Sequence, residues 1–150
     1  MNMLLPAEAV QPQARWIYRA MIDIGPVVAM GAGRDGERRR VDILGGTFEG
    51  PQLKGRVLAG GQDRQLVARD GMKWLEAVYE MQTDDGAMLS VFNRVTIDES
   101  LEGPRYARSV ISIQAPCGPY EWLSRRVLIG TLKSLRPERN VVCIDAYVVE

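Results

Sequence analysis

The sequence predicts an all-β protein: a closed antiparallel β-barrel of about eight or nine strands, lipocalin-like in shape. Short apolar or alternating segments recur along the chain, and 15 glycines and 8 prolines fall largely between them as turn signals. No segment shows the apolar spacing of a helix of three turns. An open sheet of this many strands would leave exposed edges, so the strands should form a sandwich or close into a barrel. We expect the barrel.

The strands are expected where apolar or alternating residues lie between turn residues. They cover residues 16–24, 39–44, 52–58, 65–68, 73–83, 87–97, 106–114, 125–132 and 141–149. Residues 1–15 form an N-terminal arm, interrupted by Pro6 and Pro12, before a single domain of residues 16–150. No stretch reaches the roughly 18 apolar residues of a membrane span, and the N-terminal segment lacks the pattern of a signal peptide.

The hairpin at residues 83–87 gives the most definite strand register. If its loop is a two-residue type I′ turn, Glu76 and Asn93 share one face of the sheet as diagonal neighbours. Tyr79 and Arg94 then share the opposite face. A slip of one residue would change this grouping, so the face assignment depends on the turn.

The last predicted strand alternates between two kinds of face. Asp145 and Tyr147 lie on one face, and the other face is apolar. Ordinarily the apolar face packs in the core; in a barrel that encloses a ligand, the polar face could point inward instead. Asp145 and Tyr147 are therefore either a proton-transfer pair or an ordinary structural hydrogen bond.

Composition excludes several classes of chemistry. The chain has no histidine, which excludes a Ser-His-Asp triad, a Cys-His pair and histidine-bearing metal sites. Its 19 basic and 19 acidic residues balance, which argues against nucleic acid or an anionic membrane as the partner. Cys117 and Cys143 are expected to be free thiols in a reducing cytoplasm, with a single disulfide between them as the alternative. We therefore expect no metal and no cofactor, with any acid–base chemistry coming from carboxylates, tyrosine, lysine or cysteine.

A glycine-rich segment at residues 31–36 matches the G-x-G-x-x-G pattern of dinucleotide-binding proteins. That mechanism needs a helix directly after the glycines, with its N-terminus at the pyrophosphate. Here charged residues lead directly into a β-like run and then Gly45 and Gly46. The segment is predicted to be a hairpin loop.

Two carboxylates are candidates for the catalytic base. Asp63 follows the Gly60–Gly61 corner, where it could cap an Asx-turn or stand at a barrel mouth as a general base. Glu76 lies in the middle of a strand, where glutamate is disfavoured. An exposed strand face would explain Glu76, whereas an inward-facing carboxyl would be a plausible acid or base.

Further polar and aromatic side chains are candidates for binding. Asn93 and Arg94 are adjacent, so only one of them can face inward without a β-bulge. Arg94 could pair with a carboxylate at a strand end or bind an anionic substrate. Tyr120 and Trp122 lie beside a turn, where packing in the core or an interface is favoured over ligand contact.

At these residues the chain resembles the DUF3237 family, also called UPF0311. The resemblance runs from about residue 16 to residue 150 and rests on an ordered series of short motifs: residues 45–58, 60–63, 70–71, 75–79, 83–87, 93–94, 120–125, 130 and 144–147. It implies a small antiparallel β-barrel of bacterial or fungal origin, cytoplasmic and homo-oligomeric, a dimer or larger. It implies no settled activity.

The chain departs from the usual pattern of that family at several positions. Arg64 stands where tryptophan is common, Glu76 replaces aspartate, and Ser124 replaces asparagine. The segment 107–116 lacks the usual Arg-Thr and Phe-Glu pieces. In a barrel these changes would fall near the mouth of a cavity, which suggests a specialised substrate and adds Arg64 to the substrate-binding candidates.

The function expected from these observations is cofactor-independent acid–base catalysis on a small organic molecule bound in the barrel, of isomerase, cyclase or hydro-lyase type. Asp63 or Glu76 would act as the base and Tyr147 or Tyr79 as the proton donor. The substrate-binding residues would be Asn93, Arg94, Trp122, Tyr120, Asp145 and Arg64. One alternative is a non-catalytic carrier or sensor with the same cavity, and another is an assembly subunit whose barrel is filled by its own side chains.

Overall fold

Nine antiparallel strands and one short 3₁₀ helix make up the regular secondary structure of the described residues. The computed structural model describes residues 6–150, so the first five residues of the expected N-terminal arm lie outside it. The strands are β1 (Ala14–Gly33), β2 (Gly36–Glu49), β3 (Lys54–Val57), β4 (Gly61–Val67), β5 (Met72–Thr83), β6 (Met88–Asp98), β7 (Tyr106–Gln114), β8 (Leu128–Ser134) and β9 (Val141–Val149), with a 3₁₀ helix at Glu121–Arg125. The all-β prediction is confirmed.

The strands close into a ring. Backbone hydrogen bonds connect eight of them in the order β1, β9, β8, β7, β6, β5, β4, β2 and back to β1. Strand β4 joins β2 to β5 over one half of the barrel, and β3 joins the same two strands over the other half. The predicted closed barrel is therefore confirmed.

A glycine pair forms the corner at which β2 passes from one partner to the other. Before this corner β2 pairs with β4 up to Ile43, and from Gly46 onward it pairs with β3. The register between β1 and β2 shifts here, and both Gly45 (φ +142°) and Gly46 (φ +145°) have positive φ. A side chain at Gly46 would overlap the carbonyl oxygen of Met21. Glycine is therefore needed at this close approach of the two strands.

Gly46→Ala is expected to lower the free energy of unfolding by about 2 kcal/mol, because the added methyl group meets backbone and the φ angle is unfavourable for alanine. Urea unfolding would measure the loss. Gly33→Ala is the matched control, since Gly33 has ordinary φ and no atom closer than 3.9 Å to the new Cβ. Equal stability of the two variants would contradict the prediction.

The hairpin between β5 and β6 corrects the predicted register by one residue. Its loop has three residues, with Gly86 at φ +94°, because Thr83 pairs with Ala87 through backbone and side-chain hydrogen bonds of 2.8–2.9 Å. Ala77 therefore faces Asn93, and Glu76 faces Arg94. The predicted face that joined Glu76 to Asn93 is wrong, since a slip of one residue exchanges the faces of a strand.

The inward faces of the strands fill one end of the barrel. A continuous cluster of buried apolar side chains occupies this end, including Phe48, Met81 and Leu89. The 3₁₀ helix covers it with Leu123, which is almost fully buried. The opposite end is formed by the start of β5 and by the β6–β7 and β8–β9 loops, and packing there is incomplete.

The glycine-rich segment is the hairpin between β1 and β2, as predicted. Gly33 pairs with Gly36, and β2 begins immediately, so no helix follows the glycines. Both cysteines in the described residues are free. None of the helical structure within residues 6–150 is long and apolar enough to cross a membrane.

Candidate functional site

A cavity of about 230 Å³ lies inside the barrel at its incompletely packed end. Its wall is mostly aliphatic, with side chains from β1, β2, β5, β6, β8 and β9. The polar and charged side chains in the wall are Asp63, Gln65, Lys73, Tyr79, Asn93, Arg105, Ser134 and Arg136. The cavity thus combines an apolar body with a few polar groups, the usual composition of a small-molecule site.

Asp63 and Asn93 face each other across a small residue. Asp63 on β4 pairs with Ala77 on β5, and Ala77 pairs with Asn93 on β6. Two strand spacings place the backbones of Asp63 and Asn93 about 10 Å apart. Because Ala77 has only a methyl group, the space between the carboxylate and the amide stays open toward the cavity.

The Asp63 carboxylate has one oxygen satisfied and one free. Oδ2 accepts a hydrogen bond of 2.8 Å from Nε2 of Gln65, two residues along the same strand face. Oδ1 is buried and has no hydrogen-bond partner among the described residues. Burial raises the pKa of Asp63 to about 6, and the hydrogen bond from Gln65 opposes part of that rise. Near neutral pH this group can both accept and release a proton.

Asn93 and Tyr79 present further unsatisfied polar atoms in the cavity wall. Asn93 is 1% exposed, and neither its amide nitrogen nor its amide oxygen has a partner within the described part of the chain. The Tyr79 hydroxyl is likewise buried and unpaired. A buried polar group without a partner costs about 1–3 kcal/mol, so these atoms favour a bound molecule or water that completes them.

The Tyr79 phenol is protonated over the whole physiological pH range. Burial raises its pKa well above the ordinary value, with further contributions from Tyr18 and Asp63. Tyr79 lies two residues beyond Ala77, the pairing partner of Asp63, on the same inner face of β5, so the side chains of Tyr79 and Asp63 are diagonal neighbours. The side chain of Tyr79 can therefore donate a hydrogen bond beside the carboxylate.

Three cationic side chains line the other polar part of the cavity, at its open end. Lys73 lies at the start of β5, Arg105 directly precedes β7, and Arg136 follows β8. Glu99 lies 2.6 Å from Lys73 and 4.0 Å from Arg105. Asp63 is the single carboxylate among the described residues of the cavity wall.

Three predicted site residues lie on the outer surface of the barrel instead. Glu76 is exposed and approaches Arg94 to 4.0 Å, and Arg64 is exposed opposite Glu76 on β4. Their side chains point outward because the register places Ala77 and Asn93 on the inner face. We therefore withdraw Glu76 as a catalytic base and Arg94 and Arg64 as ligands of the cavity; an exposed pair of this kind contributes little to stability.

Asp145 and Tyr147 also lie outside the cavity. The apolar face of β9 packs inward, which leaves Asp145 to accept hydrogen bonds from Arg19 at 2.9 and 3.0 Å and from Trp16 at 3.1 Å. The Arg19 guanidinium holds the pKa of Asp145 below its ordinary value. Asp145 thus belongs to a structural ion pair with Arg19, and neither Asp145 nor Tyr147 lines the cavity, so we withdraw the two as a proton-transfer pair of this site.

Tyr120 and Trp122 lie at the closed end of the barrel, away from the cavity. Both pack against the core cluster around the 3₁₀ helix. The Tyr120 hydroxyl donates a hydrogen bond of 2.9 Å to Asp85 in the β5–β6 loop. Their packing agrees with the structural alternative considered for them, and neither side chain lines the barrel cavity.

Several cavity residues were missed in the sequence because their positions depend on strand length or on loops. Gln65 lies two residues after Asp63 and therefore on the same face of β4. This shared face is visible only when the strand is known to begin at Gly61, because the predicted strand begins at residue 65. Lys73 stands at the end of a strand, and Arg105 and Arg136 lie in loops that carry no periodic pattern. Within residues 6–150, no group of three His, Cys, Asp or Glu side chains is arranged to hold a metal ion.

The fold and site define a β-barrel protein with an internal cavity, and comparisons with known proteins place it in a family. A family model described as a protein of unknown function (DUF3237) matches residues 12–149. UPF0311 protein RPA1785 of Rhodopseudomonas palustris is 36% identical over 91% of this chain and 96% of its own. The chain belongs to the DUF3237 (UPF0311) family.

Solved structures share the fold. The crystal structure of RPA1785, described as a conserved protein of unknown function, has a TM-score of 0.86 at 26% identity, covering 95% of this chain and all of its own. A beta-barrel like protein from Acinetobacter baumannii has a TM-score of 0.85 at 27% identity over 97% and 100% of the two chains. A structure described as an enzyme from Penicillium herquei has a TM-score of 0.74 at 23% identity, over 97% and 100%.

Proposed function

We propose that this protein catalyses a cofactor-independent acid–base reaction, of isomerase, cyclase or hydro-lyase type, on a small organic molecule bound in the barrel cavity. The observation that carries the proposal is Asp63: a half-buried carboxylate with a buried and free Oδ1, a pKa of about 6 and a place in the wall of a mostly apolar cavity. A base with a pKa close to the working pH is efficient in proton transfer.

The neighbouring polar groups suit the charge that such a step creates. Asp63 would take a proton from a C–H or O–H group of the substrate, and the electron pair left behind would move onto an adjacent carbonyl or onto the atom that closes a ring. The Tyr79 hydroxyl and the Asn93 amide would donate hydrogen bonds to the developing oxyanion. Return of the proton from Asp63 to another atom completes an isomerisation or cyclisation without any change of oxidation state.

A non-catalytic carrier or sensor is the second candidate, and the mostly aliphatic wall of the cavity favours it. The two functions differ in what they require of Asp63. A carrier of apolar ligands gains nothing from a buried carboxylate, whose desolvation weakens the fold, whereas an acid–base catalyst needs it. The cavity itself argues against the third alternative, a barrel filled by its own side chains. The structure described as an enzyme from Penicillium herquei shows that an enzyme can have this fold.

Proton abstraction can be measured before the substrate is known. Single-ring ketones incubated with the protein in D₂O are expected to exchange hydrogen beside the carbonyl faster than without it, as followed by loss of proton NMR signals. The protein-dependent rate should rise about tenfold per pH unit below a pKa near 6 and level off above it, because only ionised Asp63 is a base.

Glu76→Gln is the matched control, since it removes a carboxyl from the outer face of the adjacent strand. Exchange should persist in Glu76→Gln and disappear in Asp63→Asn. Exchange that survives in Asp63→Asn would contradict the role of Asp63 as the base. Absence of exchange for every ketone would favour the carrier.

The homo-oligomer and the cytoplasmic location expected from the sequence stay predictions. Val78, Phe92 and Val110 are exposed on neighbouring strands β5, β6 and β7 and form an apolar part of the outer face. Such a surface favours contact with a second copy. Sedimentation of the wild type and of a Phe92→Glu variant would test this assembly.

A further inference from the structure

The open end of the cavity carries an excess of positive charge that the protein does not neutralise. Lys73 and Arg105 share one carboxylate, Glu99, at 2.6 and 4.0 Å. Arg136 has no carboxylate within 4 Å among the described residues; one of its terminal nitrogens donates to the carbonyl oxygen of Gly25. Three cations therefore face one anion around this part of the cavity.

Arg136 is the cation least satisfied by the protein itself. Its Nε lies out of contact with solvent and has no hydrogen-bond partner in the described residues, although the side chain lines the cavity. A guanidinium nitrogen that loses water without gaining an acceptor is costly, and the planar donors of the group match a carboxylate well. The missing partner is therefore expected to arrive with the ligand.

The polar groups of the cavity are segregated by charge. The cations belong to the start of β5 and to loops at the open end, whereas Asp63, Tyr79 and Asn93 lie on the strands deeper in the barrel. Asp63 repels an anion, so a charged ligand enters with its anionic group left at the cations. Its apolar part and any neutral oxygen then point toward Asp63 and Asn93.

The volume of the cavity limits the size of the ligand. An apolar protein cavity of about 150 Å³ accepts a benzene molecule, which has six heavy atoms. In proportion, the cavity of about 230 Å³ accepts roughly nine heavy atoms, with a charged group free to project among the cations. This is the size of one ring with one or two substituents.

From the uncompensated cations and the small apolar chamber, we propose that the ligand of this site is a small organic anion, one apolar ring that carries a carboxylate, bound with the carboxylate at Arg136, Lys73 and Arg105. This inference rests on the proposed function, since it names the substrate class of the same cavity. The inference also fixes how the substrate is oriented in the cavity. The carboxylate lies at the cations, so the reacting part of the substrate is the end remote from the carboxylate.

Three probes of nearly equal size and different charge test the proposal: benzoate, benzamide and benzylamine. Binding to the wild-type protein is measured by NMR titration. Benzoate is expected to bind about tenfold more tightly than benzamide, because it adds charge-assisted hydrogen bonds, and benzylamine should bind more weakly than either. Added salt should weaken the binding of benzoate much more than that of benzamide.

Variants identify the cations responsible. Arg136→Gln should abolish the preference for benzoate, and Arg105→Gln should reduce it. Arg94→Gln is the matched control, since it removes the same charge from the outer face of β6 and should leave the preference intact. Arg136→Gln could lower the melting temperature sharply and so become uninformative. In that case Arg136→Lys, which retains the charge, and Arg105→Gln still test whether the preference for benzoate depends on these cations.

Equal binding of benzoate and benzamide, or a preference that survives in both Arg136→Gln and Arg105→Gln, would overturn the anionic ligand. The proposed function would stand in that case, because a neutral ring would still occupy the cavity beside Asp63. Failure of all three probes to bind at millimolar concentration would overturn the inference and also count against the proposed function.

Discussion

Asp63→Asn is expected to raise the free energy of unfolding by about 3 kcal/mol at pH 8 and to leave it nearly unchanged below pH 4. Burial places the pKa of Asp63 at about 6 in the folded protein, against an ordinary value of 3.8. The folded state therefore binds more protons than the unfolded state between these pH values. Stability falls as the pH rises through this window, and a displacement of this size corresponds to about 3 kcal/mol.

The asparagine amide resembles the neutral carboxyl in shape and avoids the cost of burying a charge, so it removes this loss. Urea unfolding of wild type and variant at pH 4, 6 and 8 would show the difference growing with pH. Glu76→Gln again supplies the control, with an expected change of less than about 0.5 kcal/mol. An Asp63→Asn variant less stable than the wild type at pH 8 would contradict the prediction.

The same substitution is expected to abolish proton transfer. An amide cannot accept a proton, and loss of a general base typically lowers the rate about 10²- to 10⁴-fold. Stability and activity would then change in opposite directions at one residue. This combination distinguishes a carboxylate kept for chemistry from one kept for structure, because loss of a structural carboxylate would weaken the fold.

The strands of this barrel could be predicted from the sequence because their signals are local. Glycine and proline mark the turns, and alternation marks the strands. The hairpin prediction for residues 31–36 is therefore confirmed, although the segment matches a nucleotide-binding motif. The extension of β1 and β2 beyond the predicted bounds depends on their mutual pairing from Arg19 to Gly33. That pairing is a tertiary property and leaves no local signal.

The faces of the central hairpin could not be predicted, because its loop length depends on contacts distant in sequence. Thr83 is buried and its hydroxyl bonds to Asp85, and Asp85 also accepts a hydrogen bond from Tyr120, 35 residues away. These contacts favour a three-residue loop over the two-residue turn. The single residue of difference brought Asn93 inside and put Glu76 outside.

The structure gives Asp63 a different local setting from the one that the sequence predicts. The sequence placed it in a flexible corner after two glycines, whereas it lies within β4 with its side chain in the barrel. Gly61 has a different role from that of a flexible corner: a side chain there would overlap Tyr79, so glycine lets β4 approach β5 closely beside the site. The candidate base is thus positioned by regular strand pairing, which orients a side chain more rigidly than a loop does.

Ala77→Leu is expected to lower the affinity for benzoate at least a hundredfold while the barrel stays folded. Ala77 lies between Asp63 and Asn93 on the inner face and lines the cavity, so the three added carbons occupy the space that a ring would fill. Because that space is empty of side chains, the leucine buries apolar surface, at about 0.8 kcal/mol for each CH₂. The free energy of unfolding should be unchanged or higher.

The NMR titration with benzoate and urea unfolding would measure the two effects on the same samples. Val78→Leu is the matched control, since it adds one carbon to the outer face at the next residue, and it should leave benzoate affinity unchanged. Wild-type affinity in Ala77→Leu would mean that the ring binds elsewhere, because no single-ring ligand can lie beside both Asp63 and Asn93 once this position is filled.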